Sequence, residues 1–263
     1  MRHLESTRNP LVKRIALLEK PRERRKTGDM CIEGIRELNL AMLNGYEIEC
    51  ILFCESDLSE DTLRNQLPET SAEILTMNRE VADKLLYRSG IPNVLGIGKA
   101  KSHHLEQLNL PTNPLILVIE QVEKPGNLGA MLRTADAAGV DAVIVCDPAT
   151  DVYNPNVIRS SLGCIFTTQV AIATSEETIQ YLEKHKINSF AAHLEATHYH
   201  FNSNFKTPTA IIMGSEAFGL SEIWEQNAGE MIKIPMLGMH DSMNVSNAAA
   251  VLLFEAVRQR MQS

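Results

Sequence analysis

Hydrophobic residues along this chain follow two different periods. Segment 10–19 places Leu11, Ile15 and Leu18 on one helical face after an Asn-Pro helix start, and apolar runs of strand length follow it. The first hundred residues predict strands at 30–33, 48–54, 72–76 and 94–99, and helices at 10–19, 34–44, 59–67 and 78–87. A basic, turn-prone stretch at 21–28 interrupts the pattern. Strands that alternate with helices predict a small α/β domain.

The alternation resumes after a polar stretch that contains two prolines. Leu115–Ile119 is an uninterrupted apolar run, as expected for a strand covered on both faces. Further strands are predicted at 142–145, 166–172, 188–192, 210–213 and 231–234, and helices at 128–138, 156–162, 175–186, 221–227 and 246–261. This pattern predicts a second α/β domain with a mainly parallel sheet. We therefore place a first domain at 1–102, a linker at 103–114 and a second domain at 115–263.

Three polar residues stand where helices are predicted to begin. Asn127, Ser175 and Ser221 each open or precede a helix-length segment. Asparagine and serine are favoured at helix N-caps, where the side chain accepts a hydrogen bond from a backbone amide. We therefore expect all three side chains to cap helices.

Charge is distributed unevenly along the chain. The net charge is −8, yet the first 26 residues carry nine basic and three acidic side chains, so the remainder carries −14. The densest group of cations is Arg22, Arg24, Arg25 and Lys26, a local basic patch that can bind a phosphate backbone. A solvated terminal helix explains the same charges, and charge alone leaves both interpretations open.

The remaining composition is that of an ordinary globular protein, with 44% hydrophobic and 22% charged residues. The five cysteines form no CxxC pair, which favours buried thiols in a reducing compartment over a zinc site. No signal peptide and no apolar run of membrane-spanning length is apparent, so we expect a cytoplasmic protein without a membrane partner. The histidines are scattered, and we expect no bound metal.

The first motif that could bind a ligand or take part in catalysis follows the strand at 115–119. It contains Asn127, Gly129 and Arg133 around a predicted helix start. Glycine lets the backbone approach a ligand, and a helix N-terminus favours an anion. The spacing matches neither a dinucleotide fingerprint nor a Walker A loop. Taken alone, the motif is also typical of a plain connection between strand and helix.

Two further motifs follow later strands. In the second, Gly214, Glu216 and Gly219 form an acidic glycine turn whose carboxylate could orient an arginine, although a solvated glutamate explains it equally. The third begins with Ile-Pro-Met and places four small polar residues before an alanine run: Ser242, Asn244, Ser246 and Asn247. Four such residues exceed what one helix cap needs, although a generously capped helix remains an alternative.

In this order, the three motifs resemble those of the SpoU-type (TrmH-like) RNA methyltransferases of the SPOUT superfamily. The matching positions are Asn127, Gly129, Arg133, Gly214, Glu216, Gly219, Leu220, 234–236 and 242–248. The segment 154–163, with Arg159, resembles the substrate-side segment of that family. The resemblance therefore implies RNA contacts at Arg159 and at the basic patch of Arg22, Arg24, Arg25 and Lys26. The resemblance covers about residues 115–260. Residues 1–100 resemble, more loosely through Glu33-Gly34, the ribosomal-protein-like RNA-binding domain that often precedes this catalytic domain.

The resemblance implies an enzyme that transfers a methyl group from S-adenosylmethionine to a ribose 2′-hydroxyl of RNA. It implies ribosomal RNA ahead of transfer RNA, because of the first domain. It also implies a C-terminal trefoil knot and a homodimer with active sites near the interface. The expected cofactor contacts are Gly214, Ile234, Pro235, Met243 and Val245.

The resemblance assigns catalytic roles to five residues: Asn127, Arg133, Glu216, Ser242 and Asn244. Arginine is almost never deprotonated, so we interpret Arg133 as a phosphate or oxyanion clamp oriented by Glu216. Two positions depart from the family pattern. Ala217 replaces a frequent glycine and restricts the backbone, whereas Met243 replaces a frequent leucine at similar volume.

Other functions are compatible with parts of the pattern. A catalytically inactive RNA-binding protein of the same fold would use the basic N-terminal segment, but it would not need Arg133 or Glu216. A transfer-RNA 2′-O-methyltransferase would share the motifs but often lacks the first domain. A SPOUT enzyme that methylates a base nitrogen and a small-molecule α/β enzyme are the remaining alternatives.

Overall fold

The structure, a computed structural model, describes residues 2–86 and 94–262. The chain divides into two compact units, Met1–Ser102 with Asp151–Thr167 and His103–Thr150 with Thr168–Ser263. The segment Asp151–Thr167 therefore belongs to the first unit by contact, although it lies within the second domain by sequence. A division made along the chain cannot anticipate a segment that leaves one unit and packs in the other.

The first unit is built on a mixed sheet. Its elements are β1 (Arg2–Leu4), α1 (Pro10–Leu17), α2 (Pro21–Thr27), β2 (Asp29–Glu33), α3 (Ile35–Leu43), β3 (Ile48–Cys54), α4 (Glu60–Gln66), β4 (Glu73–Met77), α5 (Arg79–Leu85), β5 (Val94–Lys99), α7 (Pro155–Ser160) and α8 (Cys164–Thr167). Among the described residues the sheet has five strands in the order β1-β4-β3-β5-β2. Strands β1, β4 and β3 are parallel, and β5 is antiparallel to β3 and β2. The predicted small α/β domain is confirmed.

Helix α2 occupies the stretch that the sequence predicts as a turn. Pro21 takes the first helical position, and basic residues fill the last turn, where they face the negative end of the helix dipole. Gly28 ends the helix with φ of 68°, a left-handed conformation that glycine adopts without a side-chain clash. Helix α5 ends at Leu85, and residue 87, the predicted end of that helix, lies outside the described residues.

The second unit contains a parallel sheet with helices packed on it. Its elements are β6 (Leu115–Glu120), α6 (Pro125–Ala137), β7 (Ala142–Cys146), β8 (Val170–Ala173), α9 (Ser175–Lys184), β9 (Asn188–Ala192), β10 (His198–Tyr199), β11 (Thr209–Met213), α10 (Glu222–Asn227), β12 (Glu230–Lys233) and α11 (Val245–Met261). The order is β10-β12-β9-β11-β6-β7-β8, seven strands in the described ranges. Every pairing is parallel, so all carboxyl ends lie at one edge.

The segment predicted as a linker packs on the second unit. Leu105 is buried in its core, and His103 Nδ1 lies 2.9 Å from the carbonyl oxygen of Val170. Asn109 and Gln169 exchange two hydrogen bonds, from the Asn109 amide at 2.8 Å and to its carbonyl at 3.0 Å. These contacts hold residues 103–109 against β8 and the residue before it.

Two helix starts differ from the predicted caps. Thr174 caps α9, because its hydroxyl accepts from the Glu177 amide at 3.1 Å while the Glu177 carboxylate accepts from the Thr174 amide at 2.9 Å. The predicted cap at Ser175 is therefore wrong by one residue. Ser221 does hold the N-cap position of α10, but its side chain makes no capping bond. The hydroxyls of Ser175 and Ser221 are thus available for other contacts.

No helix in the described residues is both long and apolar enough to cross a membrane. Within residues 2–86 and 94–262, no group of three or more His, Cys, Asp or Glu side chains could hold a metal ion. All five cysteines are buried free thiols, as the composition predicts. Burial raises the pKa of Cys31 and Cys146 to about 12 and that of Cys50 to about 11.

These thiols should be inert in the native protein. At pH 8 the thiols of Cys31, Cys50 and Cys146 stay protonated, and the thiol form reacts poorly with disulfide reagents. Burial also shields Cys54 and Cys164 from the reagent. We expect Ellman's reagent to detect almost no thiol in native protein and all five after denaturation in guanidinium. A thiol that reacts within seconds at pH 8 without denaturant would contradict this burial.

Candidate active site

The three motifs meet at the carboxyl edge of the second sheet. The first motif follows β6, the second follows β11 and the third follows β12. Strands β6 and β11 are direct neighbours, with Met213 paired to Ile119, so Gly214 and Glu120 leave the sheet side by side. Ligands of open α/β sheets bind beyond this edge, where the backbone of loops and helix N-termini is not used in hydrogen bonds between strands.

An asparagine pair joins the first and third motifs. Helix α6 begins at Pro125, with Lys124 as its N-cap residue, so Asn127 lies in the first turn and the predicted cap there is wrong. Its Oδ1 instead accepts from Asn244 Nδ2 at 3.2 Å. The Nδ2 of Asn127 is buried and has no partner among the described residues. Asn127 is thus a contact residue of the site rather than a helix cap.

Asn244 also fixes the start of the last helix. Its Oδ1 accepts from the Ser246 amide at 3.0 Å and from the Ser246 hydroxyl at 2.6 Å, which caps α11. The same side chain therefore caps one helix and contacts another. This arrangement accounts for two of the small polar residues of the third motif.

The second motif forms a closed turn. The Ser215 amide donates to the Gly219 carbonyl at 2.8 Å, and the Gly219 amide donates back to the Ser215 carbonyl at 3.1 Å. A side chain at Gly214 would bring its Cβ within 2.3 Å of the Gly219 carbonyl carbon and oxygen, so two backbone segments cross here with no spare room. Only Gly219 in this turn has a left-handed φ, of 72°, and Ala217 is therefore accommodated.

Glu216 pairs with Lys124 instead of Arg133. The Lys124 Nζ lies 3.5 Å from Glu216 Oε2, and the Glu216 side chain is only 18% exposed. Arg133 lies just over two turns into α6 and is exposed, without an ion pair or hydrogen bond to any residue that the structure describes. The structure thus places the acidic group beside the start of α6 and leaves the Arg133 guanidinium open to an external anion.

The predicted cofactor contacts are spread over two strand ends. Gly214 is buried at the end of β11, and Ile234 and Pro235 follow β12 in half-buried positions. Met243 is 40% exposed, whereas Val245 is buried as the first residue of α11. Ser242 is exposed in the loop before α11. Apolar side chains that remain open at this edge suit a planar, partly apolar ligand.

The predicted RNA contacts lie in the first unit, and one of them is buried. Arg22, Arg25 and Lys26 are exposed on α2. Arg24 is only 4% exposed, and its Nη1 donates to the carbonyls of Leu18 and Glu19 at 2.7 and 2.9 Å.

Arg24 also forms an ion pair inside the unit. Its Nε lies 2.7 Å from Asp151 Oδ2, and this pair fixes the start of the Asp151–Thr167 segment. The prediction of an RNA contact at Arg24 is therefore corrected, because its guanidinium points into the unit. Arg159, on α7 of the same unit, is half-buried and donates to Asn156 Oδ1 at 2.9 Å.

A buried acidic residue beneath the motifs was missed by the sequence analysis. Glu120, the last residue of β6, is only 1% exposed, and its carboxylate accepts from the hydroxyls of Ser175 and Ser221. A charged residue that ends an otherwise apolar strand is the signal that could have identified it. Gln121, which follows it, has φ of 49°, an uncommon left-handed conformation that turns the chain toward the first motif.

Together, a parallel α/β unit with these three loops at one edge and an α/β unit ahead of it define a SPOUT-type methyltransferase. Residues 114–254 match the sequence profile of the SpoU rRNA Methylase family, and residues 9–96 match the MRM3-like substrate binding domain. The first match spans more than half of the chain. The chain therefore belongs to the SpoU rRNA Methylase family.

Known proteins resemble the chain over nearly its full length. It is 30% identical over 256 residues to the 23S rRNA (uridine(2479)-2′-O)-methyltransferase of Streptomyces viridochromogenes, covering 94% of this chain and 88% of that one. An RNA 2′-O ribose methyltransferase crystal structure matches with a TM-score of 0.86 and 36% identity over 98% and 99% of the two chains. The SpoU methyltransferase AviRb from Streptomyces viridochromogenes, in complex with AdoMet, matches with a TM-score of 0.90 and 27% identity over 97% and 100%.

The close crossing at Gly214 should make that glycine indispensable for ligand binding. We expect Gly214→Ala to weaken S-adenosylmethionine binding by at least about tenfold, because an overlap with rigid backbone costs on the order of 1–3 kcal/mol. Gly126→Ala is the matched control, since its Cβ would meet no atom within 4 Å and its φ is not left-handed. Isothermal titration of both variants checks this, and equal affinities would contradict the crossing.

Proposed function

We propose that this protein transfers the methyl group of S-adenosylmethionine to a ribose 2′-hydroxyl of ribosomal RNA. The observation that carries the proposal is the meeting of the motifs at one sheet edge, joined by the bond between Asn244 and Asn127. The names of the relatives support ribosomal RNA as the substrate and the 2′-oxygen as the acceptor. We also propose a cytoplasmic location, where such a substrate is available to a bacterial enzyme.

The residues at this edge fit S-adenosylmethionine. The buried Asn127 Nδ2 lacks an acceptor among the described residues, which is rare in proteins and which a polar ligand group would supply. Ile234, Pro235 and Met243 provide open apolar surface for an adenine ring. Gly214 and Val245 would bound the same pocket, and the trefoil knot that would enclose it stays a prediction. S-adenosylmethionine supplies a sulfonium-bound methyl group that a nucleophile can accept.

The chain must orient and activate the ribose. A 2′-hydroxyl is a weak nucleophile until its proton begins to leave, so alignment and stabilisation of the emerging oxyanion are the main tasks. Transfer would replace the carbon–sulfur bond of the bound donor with a bond from the methyl carbon to the 2′-oxygen, and the hydroxyl proton would pass to water. Arg133, exposed and permanently charged, holds the adjacent phosphate or the developing oxyanion. Ser242 and Asn244 hold the ribose by hydrogen bonds, and Asn127 fixes Asn244 by accepting from its side-chain amide.

Glu216 lies beside the start of α6, where it pairs with Lys124. Its pairing with Lys124 neutralises a carboxylate that would otherwise repel the RNA phosphates. It also holds the turn of the second motif beside the start of α6. We therefore propose Glu216 as a residue that shapes the site, and Arg133 as the one that contacts substrate.

The first unit supplies RNA affinity. Arg22, Arg25 and Lys26 project from α2, and Arg159 belongs to the same unit. Exposed cations of this kind bind phosphates by counterion release and carry no sequence information. The unit therefore selects a folded RNA that presents its backbone, while the second unit carries out methyl transfer.

We also propose that the enzyme is a homodimer. Helix α11 exposes Val251 and Phe254, which are 37% and 48% accessible, on the same face as Asn247 and Arg258. Large apolar side chains three residues apart on an exposed helix face are typical of an interface. A second copy of the same helix buries them by two-fold symmetry.

Methyl transfer itself is tested with purified protein and labelled S-adenosylmethionine. We expect label in ribosomal RNA prepared from cells that lack the enzyme, and none in transfer RNA. Nuclease digestion and mass spectrometry should place the methyl on the ribose. Label in transfer RNA or on a base would support one of the alternative enzymes, and S-adenosylmethionine binding without transfer to any RNA would support an inactive RNA-binding protein.

Arg133→Ala should lower kcat by about 100-fold or more, as expected when a charge-stabilising donor is removed. The Kd for S-adenosylmethionine should stay within twofold, because Arg133 contacts RNA and not the methyl donor. Arg64→Ala, an exposed arginine of α4, is the control. Full transfer activity in Arg133→Ala would contradict the assigned role.

The cations of α2 should set the salt dependence of RNA binding. Replacing Arg22, Arg25 and Lys26 with glutamine should reduce the slope of log K against log salt by about 2–3, since each lost phosphate contact removes about 0.7–0.9. Lys184→Gln with Lys186→Gln in the second unit is the control. Arg24→Gln should instead lower the unfolding temperature, because it leaves Asp151 without its partner. An unchanged slope in the triple variant would exclude α2 from the RNA contacts.

Phe254→Glu should convert the dimer to a monomer, because a charge would be buried at the proposed interface. Sedimentation velocity measures the change directly. Leu43→Glu, on an exposed apolar residue of the first unit, is the matched control and should leave the mass unchanged. A wild-type monomer would contradict the proposal.

A further inference from the structure

The carboxylate of Glu120 is held by three hydrogen-bond donors inside the second unit. Its Oε1 accepts from the Ser175 hydroxyl at 3.0 Å and from the Ser221 hydroxyl, and its Oε2 accepts from the Ser221 amide at 2.8 Å. Among the described residues, no cation pairs with it. A buried carboxylate costs folding free energy, and an apolar residue at this position would fold without that cost.

The donors come from two different places. Ser175 belongs to α9, which packs on the sheet, whereas Ser221 directly follows the turn of the second motif. The Ser221 contacts therefore fix that turn to the end of β6. Leu220 is buried between the turn and Ser221, and its amide would lie 2.5 Å from a Cβ at Gly214. Because Leu220 directly precedes Ser221, a shift of Ser221 would also move the Leu220 backbone that lies against Gly214.

We propose that Glu120 is a positioning residue for the S-adenosylmethionine site, acting through Ser221 on the turn at 214–221. The inference rests on the proposed function. The carboxylate contacts neither substrate nor cofactor. It sets the distance between the second motif and the strand that leads into the first motif, and with it the width of the cofactor pocket.

The bond from Ser175 to the same carboxylate provides a control. The Ser175 hydroxyl shares its single proton between Glu120 Oε1 and Asp147 Oδ2, which lies 2.7 Å away, and it accepts from the buried Trp224 Nε1 at 3.1 Å. Removing this hydroxyl disturbs three hydrogen bonds but leaves both Ser221 contacts in place. Removing the Ser221 hydroxyl disturbs one. The two serines bond the same oxygen of Glu120, so the same serine-to-alanine change can be made at each. The Ser175 variant reports the effect on stability, and the Ser221 variant reports the effect of the position of the turn.

The test uses the full chain and measures S-adenosylmethionine affinity by isothermal titration, together with thermal unfolding. We expect Ser221→Ala to weaken affinity about threefold and Glu120→Ala at least about tenfold, matching the loss of one and of several hydrogen bonds. Ser175→Ala should change affinity less than twofold while lowering the unfolding temperature more than Ser221→Ala does. Glu120→Gln, which keeps an acceptor for the Ser221 amide, should restore affinity to within threefold of wild type.

Steady-state kinetics give a second readout. In Glu120→Ala and Ser221→Ala the KM for S-adenosylmethionine should rise while the KM for RNA stays constant. Affinity losses that follow the loss of unfolding temperature across all four variants, with Ser175→Ala binding more weakly than Ser221→Ala, would overturn the inference and leave the proposed function intact. A wild-type protein that binds no S-adenosylmethionine would overturn the proposed function and the inference with it. If Glu120→Ala does not fold, Ser221→Ala and Ser175→Ala decide the matter alone.

Discussion

The parallel order of the second sheet is the constraint on which the site depends. Because β6, β11 and β12 all point the same way, three segments that are separate along the chain leave the sheet at one edge. The direct pairing of β6 with β11 brings Gly214 beside Glu120, and the α11 start brings Asn244 to Asn127. An antiparallel strand at any of these positions would send one motif to the opposite edge.

The edge is also tightly packed. The crossing of two backbone segments at Gly214 leaves no room for a side chain, and a hydrogen-bonded network of two carboxylates, two serines and a tryptophan lies beneath it. Such a network is stable only when every donor has an acceptor, as it has here for Ser175, Ser221 and Trp224. By contrast, Arg133 is exposed and unengaged by described residues, as a group that meets a large external substrate should be.

Much of the fold could be predicted from the sequence, because those predictions rested on the periodicity of apolar residues and on the order of the three motifs. The strands, the parallel sheet and the family follow from apolar runs and from three motifs in a fixed order. Individual side-chain partners could not be predicted in this way. Asn127 and Ser175 look like helix caps, but a proline and a capping box nearby fix the helix starts elsewhere. Glu216 and Arg133 carry opposite charges, yet Lys124 lies nearer in space.

The burial of the charged residues Arg24 and Glu120 could not be predicted from the sequence either. Arg24 stands among exposed cations, and only the tertiary contact with Asp151, 127 residues away, shows that it is internal. Glu120 gave no motif, because a single acidic residue at a strand end has many ordinary explanations. Both residues depend on packing partners distant in the chain, which neither spacing nor composition can reveal.

The most direct test is to map 2′-O-methylation in ribosomal RNA from a strain that lacks the gene. The account predicts that one ribose methylation is lost in that strain, that the wild-type gene restores it, and that a gene encoding Arg133→Ala does not. An unchanged methylation map in the deletion strain, or full restoration by Arg133→Ala, would contradict it.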